Sequence, residues 1–299
     1  MEIVRKGNVS LYKFNVGKST FVVNAYVGAR LMTWDIDENG VVRSVIPWFG
    51  EATEGAVAGG NPILFPFPST SFVGKQPHMW RTPRGDVRPM RRHGYAWSGK
   101  FEVAYSSDTQ LKLKFVPCAE CKQAYPYDYN FYVRYTFSER SMITELILEN
   151  KGDLPMPWGA GTHPYFTIPW VKGEPKRDYH LKTDASLSTY NVGDGTRYKL
   201  DNLDKMSFAD AEMVGRILCN LHTATASIVR RKGGEVKIIV NDNRNPESSF
   251  CFVTYGKTRD SEEPFFAVEP WMAPPNCATK PLQFVNGKST GVFKVEIKI

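Results

Sequence analysis

The stretch Gly291-Val-Phe-Lys-Val-Glu-Ile-Lys-Ile299 puts Val295, Ile297 and Ile299 on one side of an extended chain and Lys294, Glu296 and Lys298 on the other. A half-buried strand produces this alternation, because successive side chains point to opposite faces of a sheet. The same period of two runs through Leu111–Phe115, Phe131–Phe137 and Ile143–Glu149. The short polar links Ser106–Gln110 and Ser138–Ser141 join neighbouring runs and predict hairpins. Strand patterns recur roughly every 8 to 15 residues, with 24 glycines and 20 prolines between them as punctuation.

Helical periodicity is scarce. The one stretch predicted helical is Ser207–Cys219. No glycine-rich phosphate loop follows a strand and no βαβ alternation appears, which argues against a dinucleotide fold. There is no repeat at a fixed period and no low-complexity linker. The expectation is an all-β chain, one domain over residues 1–299, built of large packed antiparallel sheets. The irregular segments 66–92 and 150–208 are then expected to be loops that carry function or close a cleft.

The bulk properties agree. The 299 residues are 42% hydrophobic and 23% charged, an ordinary globular balance that excludes a disordered, collagen-like or coiled-coil chain. No apolar run approaches the roughly 18 residues needed to span a bilayer. The first 16 residues carry Glu2 and have no apolar signal core, so they are read as a non-secreted N-terminus. Five cysteines form no disulfide framework; Cys219, Cys251 and Cys277 are read as buried thiols, and the chain as reduced and cytoplasmic. The net charge of +7 favours anionic partners modestly.

Chemistry concentrates in a few places. His93 follows a loop rich in proline and arginine, within Arg91-Arg92-His93-Gly94-Tyr95-Ala96-Trp97. His163 stands in Gly159-Ala-Gly-Thr-His163-Pro-Tyr-Phe166, where small residues allow close backbone approach to a ligand. Either histidine alone is more often a packed or surface group. Glu269 ends the apolar run Pro264–Val268 among aromatics, where desolvation would raise its pKa and make it a better base near neutrality. A glutamate paired to an arginine at a sheet rim is the competing reading. In Ala58–Pro68, glycines and prolines interrupt an apolar run, which suits a rigid backbone near a ligand or a buried turn.

Four segments, AGGNPILFPFP at 58–68, HGYAW at 93–97, GTHPYF at 161–166 and VEPWMAPPN at 268–276, together resemble the aldose 1-epimerase (galactose mutarotase) family in order and approximate spacing. The resemblance implies a β-supersandwich with an open cleft that binds a hexose, and an isomerase that interconverts its α and β anomers. It implies Glu269 as the base for the C1 hydroxyl, His163 as the acid for the ring oxygen, and His93 as a hydrogen-bonding partner, with no cofactor or metal. It also implies an aspartate on the sugar hydroxyls; Asp210 is the best match, with Asp201 and Asp204 competing. Trp271 and Trp97 are candidates to stack on the pyranose, against simple packing.

The chain also departs from the pattern. Many relatives carry an arginine after the Gly-Gly-x-Pro segment or after His-Gly-Phe-Ala; here Ser69-Thr-Ser and Trp97 stand there, and Asn61 is the candidate replacement for a lost polar contact. Meanwhile Arg81, Arg84, Arg88, Arg91 and Arg92 crowd into the twelve residues before His93. Guanidinium forks suit phosphate oxygens, so Arg84 and Arg92 are candidate contacts to a 6-phosphate and a hexose 6-phosphate is a candidate substrate. A solvated basic loop is the alternative. A non-catalytic carbohydrate-binding protein is the runner-up function. Nucleic-acid binding through the arginine loop, with Trp80 and Trp97 as stacking platforms, is disfavoured because the charge sits in one loop. Half a zinc site at Cys118 and Cys121 lacks a second pair. The expected partner is a small sugar or sugar phosphate, with no nucleic acid or membrane.

Overall fold

Alternation dictates the largest sheet. Its eight strands run, in spatial order, Lys100–Ser106, Gln110–Val116, Tyr129–Ser138, Ser141–Asn150, Thr290–Lys298, Glu235–Asp242, Thr225–Arg230 and Tyr179–Thr183, all antiparallel. The computed structural model describes residues 1–6, 9–50, 59–191, 197–200, 206–242, 249–256, 264–274, 276 and 283–299. Both predicted hairpins are present, between the first two strands and between Tyr129–Ser138 and Ser141–Asn150. Phe131, Val133, Tyr135 and Phe137 are buried, and the residues between them are half-exposed. Register places Leu113 opposite Val133, Val133 opposite Leu146, and Leu146 opposite Phe293, so one apolar row crosses four strands. Each large side chain in such a row contributes about 1.5–3 kcal/mol on burial.

A second sheet of five strands, from Glu2–Lys6 to Val41–Ile46, follows chain order as a meander. It packs on the first through Phe14 and Phe21, whose rings lie 4.7 and 4.5 Å from that of Phe137. The third large sheet orders Arg197–Leu200, Leu187–Asn191, Arg216–Cys219, Cys251–Tyr255, Phe265–Trp271, Gly161–Thr162 and Ile63–Leu64, with Tyr165–Thr167 also pairing to Phe265–Trp271. Its two faces differ. Leu218, Phe252, Phe266 and Val268 join the main core, while Ile217, Val253 and Trp271 belong to a separate cluster on the opposite side. This β-rich architecture of large antiparallel sheets is the expected fold class.

Three local expectations are corrected. Ser207–Cys219 is not a helix: a three-residue 3-10 turn, Ala211–Met213, leads into the strand Arg216–Cys219. All four residues of that strand are buried, so the strand lacks the exposed alternation that would have declared it. Segments 66–92 and 150–208 are not plain loops. They contain short strands, including Met79–Arg81, Val87–Pro89, Met156–Trp158 and Tyr179–Thr183, whose partners include strands far away in sequence. A six-residue helix, Ala119–Ala124, accounts for the Cys118–Cys121 spacing: the Cys121 N–H donates to Cys118 Sγ at 3.4 Å as an N-cap. Cys219 and Cys251 are buried, as expected, and Cys277 lies outside the described residues.

Candidate active site

The strand Phe265–Trp271 is buried along its whole length, so its alternation separates two interiors. Phe266 and Val268 point into the main core, whereas Glu269 and Trp271 take the other face and line a cleft of about 340 Å³. That volume is at the small end of the range for small-molecule sites. Register extends the floor of the cleft sideways: Glu269 pairs with Val253 and Val253 with Ile217, and all three line it. His163 follows the strand Gly161–Thr162, its N–H donating to the Pro62 carbonyl at 3.0 Å. Its Nε2 lies 3.1 Å from Glu269 Oε1.

His93 reaches the same cleft by a strained route. Its φ is +61°, in the left-handed region, and Gly94 follows at +76°. A Cβ on Gly94 would stand 2.0 Å from the Phe65 carbonyl oxygen, so only glycine fits there. The Ser69 N–H donates to His93 Nδ1 at 3.2 Å, and His93 N–H returns a bond to the Ser69 carbonyl at 2.8 Å. An accepting Nδ1 places the ring proton on Nε2, so His93 is a neutral hydrogen-bond donor. Aromatic rings frame the three groups. His93 lies 5.0 Å from Trp97 in a near-parallel stack and edge-on to His163 at 5.9 Å, while His163 stacks on Tyr165 at 4.6 Å.

Burial sets the electrostatics. Glu269 is 2% exposed, His163 5% and His93 7%. Desolvation pushes the Glu269 carboxyl well above the usual carboxylate range, with Arg92 and Trp271 acting against the shift. Desolvation also holds His163 well below the usual imidazole range, reinforced by His93, Arg30 and Arg92. His93 is pulled down to about 3 by burial and then by the charge of Arg92. Both shifts in the 3.1 Å pair favour its neutral form, a carboxylic acid beside an imidazole. Among the described residues, the buried Glu269 Oε2 and His163 Nδ1 meet no partner at hydrogen-bond geometry.

The structure brings together Glu269, His163, His93, Trp271 and Arg92, all of which line the cleft. The other residues singled out in sequence lie elsewhere. Arg84 lines a separate cavity with Arg88 and Tyr127. Asp210 is the half-buried residue that starts the turn Ala211–Met213, and its charge bears on the buried Arg216. Asn61 is fully buried, bridged by its backbone to Leu31, and does not line the cleft. Asp201 and Asp204 lie outside the described residues. The arginine cluster also disperses: Arg81 donates to the Gly85 carbonyl, Arg88 to that of Gln123, and Arg91 pairs with Glu120.

Two lining residues, Val253 and Ile217, and two groups packed behind the site, Tyr165 and Arg30, escaped sequence reading. Val253 and Ile217 follow from register with Glu269, which a single strand's pattern cannot supply. Tyr165, two residues beyond His163, could have been found by counting in twos. Arg30, buried behind Trp97, had one signal, a lone cation within the apolar Ala29–Met32 run.

A family profile described as Aldose 1-epimerase matches residues 11–276. A Lactococcus lactis subsp. lactis protein, LacX (plasmid), is 28% identical over 236 residues, covering 71% of this chain and 73% of its own length. Among solved structures, a galactose mutarotase related enzyme from Lactobacillus acidophilus superposes with a TM-score of 0.77 at 15% identity, covering 96% of each chain. A galactose mutarotase-like protein from Lactobacillus casei ATCC 334 gives 0.75 at 20% identity, covering 96% of this chain and 99% of the other. Among the described residues, no helix is long and apolar enough to cross a membrane.

Proposed function

We propose, from the premise that this chain belongs to the aldose 1-epimerase family, that it interconverts the α and β anomers of a hexose by opening and closing the pyranose ring. The observation that carries this reading is the buried pair, His163 Nε2 at 3.1 Å from Glu269 Oε1, facing a sugar-sized cleft. Binding alone needs hydroxyl partners, whereas ring opening needs a proton taken from O1 and another given to O5.

The pair does both while carrying one proton between its two members throughout. Glu269 as carboxylate takes the O1 proton while His163 as imidazolium protonates O5, and the C1–O5 bond breaks to leave the aldehyde. The enzyme then holds a carboxylic acid and a neutral imidazole, the form that burial favours. After rotation about C1–C2, the O5 hydroxyl attacks the other carbonyl face. His163 recovers its proton and Glu269 returns one to O1, so the cycle closes with no net proton transfer.

His93 donates through Nε2–H to the oxygens at C1 and O5, where negative charge develops. Its neutrality matters, since a third titrating group would compete for the shared proton. Trp271 offers a flat apolar surface to one face of the ring. Of the arginines crowded before His93, Arg92 alone lines the cleft and is the group placed to meet a 6-phosphate. The test is anomer exchange of glucose, galactose and glucose 6-phosphate, followed by NMR, for wild type and Glu269→Gln. Acceleration lost in the variant supports the reading. Saturable binding without acceleration in wild type would replace it with a carbohydrate-binding protein.

A further inference from the structure

Arg30 opens the strand Arg30–Glu38 and is only 2% exposed. Its guanidinium lies 5.4 Å from the Trp48 ring centroid and 5.1 Å from that of Trp97. A cation over aromatic faces is held by the ring quadrupoles, more strongly where water is excluded. Burial lowers its pKa only to about 10, so the charge persists at neutral pH.

This contact leads directly into the site. Trp97 stacks on His93 with an interplanar angle of 19° and meets His163 edge-on at 5.7 Å. The backbone is locked in the same place. Gly28 N–H donates to the Gly99 carbonyl at 2.8 Å, and a Cβ on Gly28 would stand 2.4 Å from the Trp97 carbonyl oxygen. The Tyr135 hydroxyl donates to the Ala29 carbonyl at 2.8 Å, pinning the turn that presents Arg30.

We propose that Arg30 is a positioning residue for the acid–base pair: it fixes the indole against which His93 rests and keeps a permanent positive charge behind His163. The proposal rests on the mutarotase reading above. The groups whose charge bears on His163 are His93, Arg30 and Arg92, with Glu269 beside it, Tyr165 stacked on it and Tyr255 at its edge. Arg30 itself faces Tyr165 and Tyr135. His93 is neutral and Arg92 is exposed to solvent, so Arg30 supplies the one cationic charge among these that water does not screen.

The two parts of the role separate by substitution. Arg30→Lys keeps a charge and loses the flat fork; Arg30→Met keeps length and loses the charge. For Arg30→Lys, kcat should fall about tenfold or more through misplacement, with the pH–rate bell unmoved. For Arg30→Met, the limb of the bell set by His163 should also move upward by roughly half a pH unit, because removing the cation that bears on it favours its protonation. A role in folding alone would lower the yield of folded protein and leave the bell where it was.

Histidine ¹⁵N NMR of the unliganded protein provides a readout independent of turnover. In Arg30→Met, the His163 titration should move upward and the His93 ring signals should change. Wild type that fails to mutarotate sinks the catalytic reading, and the histidine titration still decides whether Arg30 acts on the pair. Active wild type with an unmoved bell and unmoved histidine signals in Arg30→Met overturns the proposal. If Arg30→Met does not fold, Trp97→Leu carries the test. It should lower kcat and shift the His93 signals; an unchanged kcat refutes the positioning role.

Discussion

Glu269 and His163 lie 3.1 Å apart, and the single proton proposed to pass between them implies that their mutational costs should not multiply. In Glu269→Gln the amide keeps the shape of the carboxylic acid but cannot accept the O1 proton. Loss of one general acid or base typically costs about 10²–10⁴-fold in rate, or about 3–5 kcal/mol at 1.36 kcal/mol per tenfold. His163→Gln should cost a similar amount, since O5 then leaves unprotonated. Independent groups would give a double variant slower by about 10⁴–10⁸. Groups working on one proton lose nearly everything with the first substitution, so the double variant should lie within about tenfold of the slower single. The assay is NMR exchange between the anomers of a freshly dissolved hexose, with the uncatalysed rate subtracted and folding checked by circular dichroism. A fully multiplicative double variant would show that the two residues act separately, and a Glu269→Gln enzyme at wild-type rate would remove the base assignment altogether.

Three more outcomes are expected. Stability should fall on both sides of neutrality. His93, depressed to about 3, contributes stability that is present above pH 6.5 and is lost as pH falls towards 3. The raised Glu269 carboxyl contributes stability that is present below pH 4.5 and is lost as pH climbs through its folded value. Thermal melts of wild type, His93→Asn and Glu269→Gln across pH 3–9 check this: the first variant should flatten the acid side and the second the alkaline side, and unchanged slopes would contradict the burial argument. Arg92→Ala should raise KM for glucose 6-phosphate more than for glucose, whereas Arg84→Ala should alter neither; equal effects of Arg92→Ala on both sugars would exclude a phosphate contact. Gly94→Ala, with its Cβ 2.0 Å from the Phe65 carbonyl oxygen at a φ of +76°, should lower Tm by several degrees, reflecting about 1–3 kcal/mol of backbone strain.

What was legible in sequence was whatever a single segment encodes. Phe131–Phe137 shows its buried face by alternation, and the links at Ser106–Gln110 and Ser138–Ser141 show their hairpins. The cleft residues Glu269, His163 and His93 were found because unusual side chains interrupt apolar or small-residue runs. Properties that depend on two segments stayed hidden. Arg216–Cys219 is covered on both faces, so nothing in its pattern separates it from a buried helix. The arginines of 81–92 are neighbours in sequence, but the short hairpin Met79–Arg81/Val87–Pro89 sends them to different surfaces, and only Arg92 reaches the cleft. Arg30 meets Trp97 across 67 residues of chain, with no local mark of the contact.

The strand Phe265–Trp271 divides the core from the cleft one residue at a time, and this makes it intolerant of a kind of change other than substitution. Inserting or deleting one residue between Phe265 and Glu269 would exchange its two faces. The carboxyl would then turn into the packed aromatic interior beside Phe252, while the position of Val268 would face the cleft. Lineages can therefore vary the loops of such a protein in length, but this strand only in composition. Length polymorphism within it is expected to mark relatives that have given up the reaction.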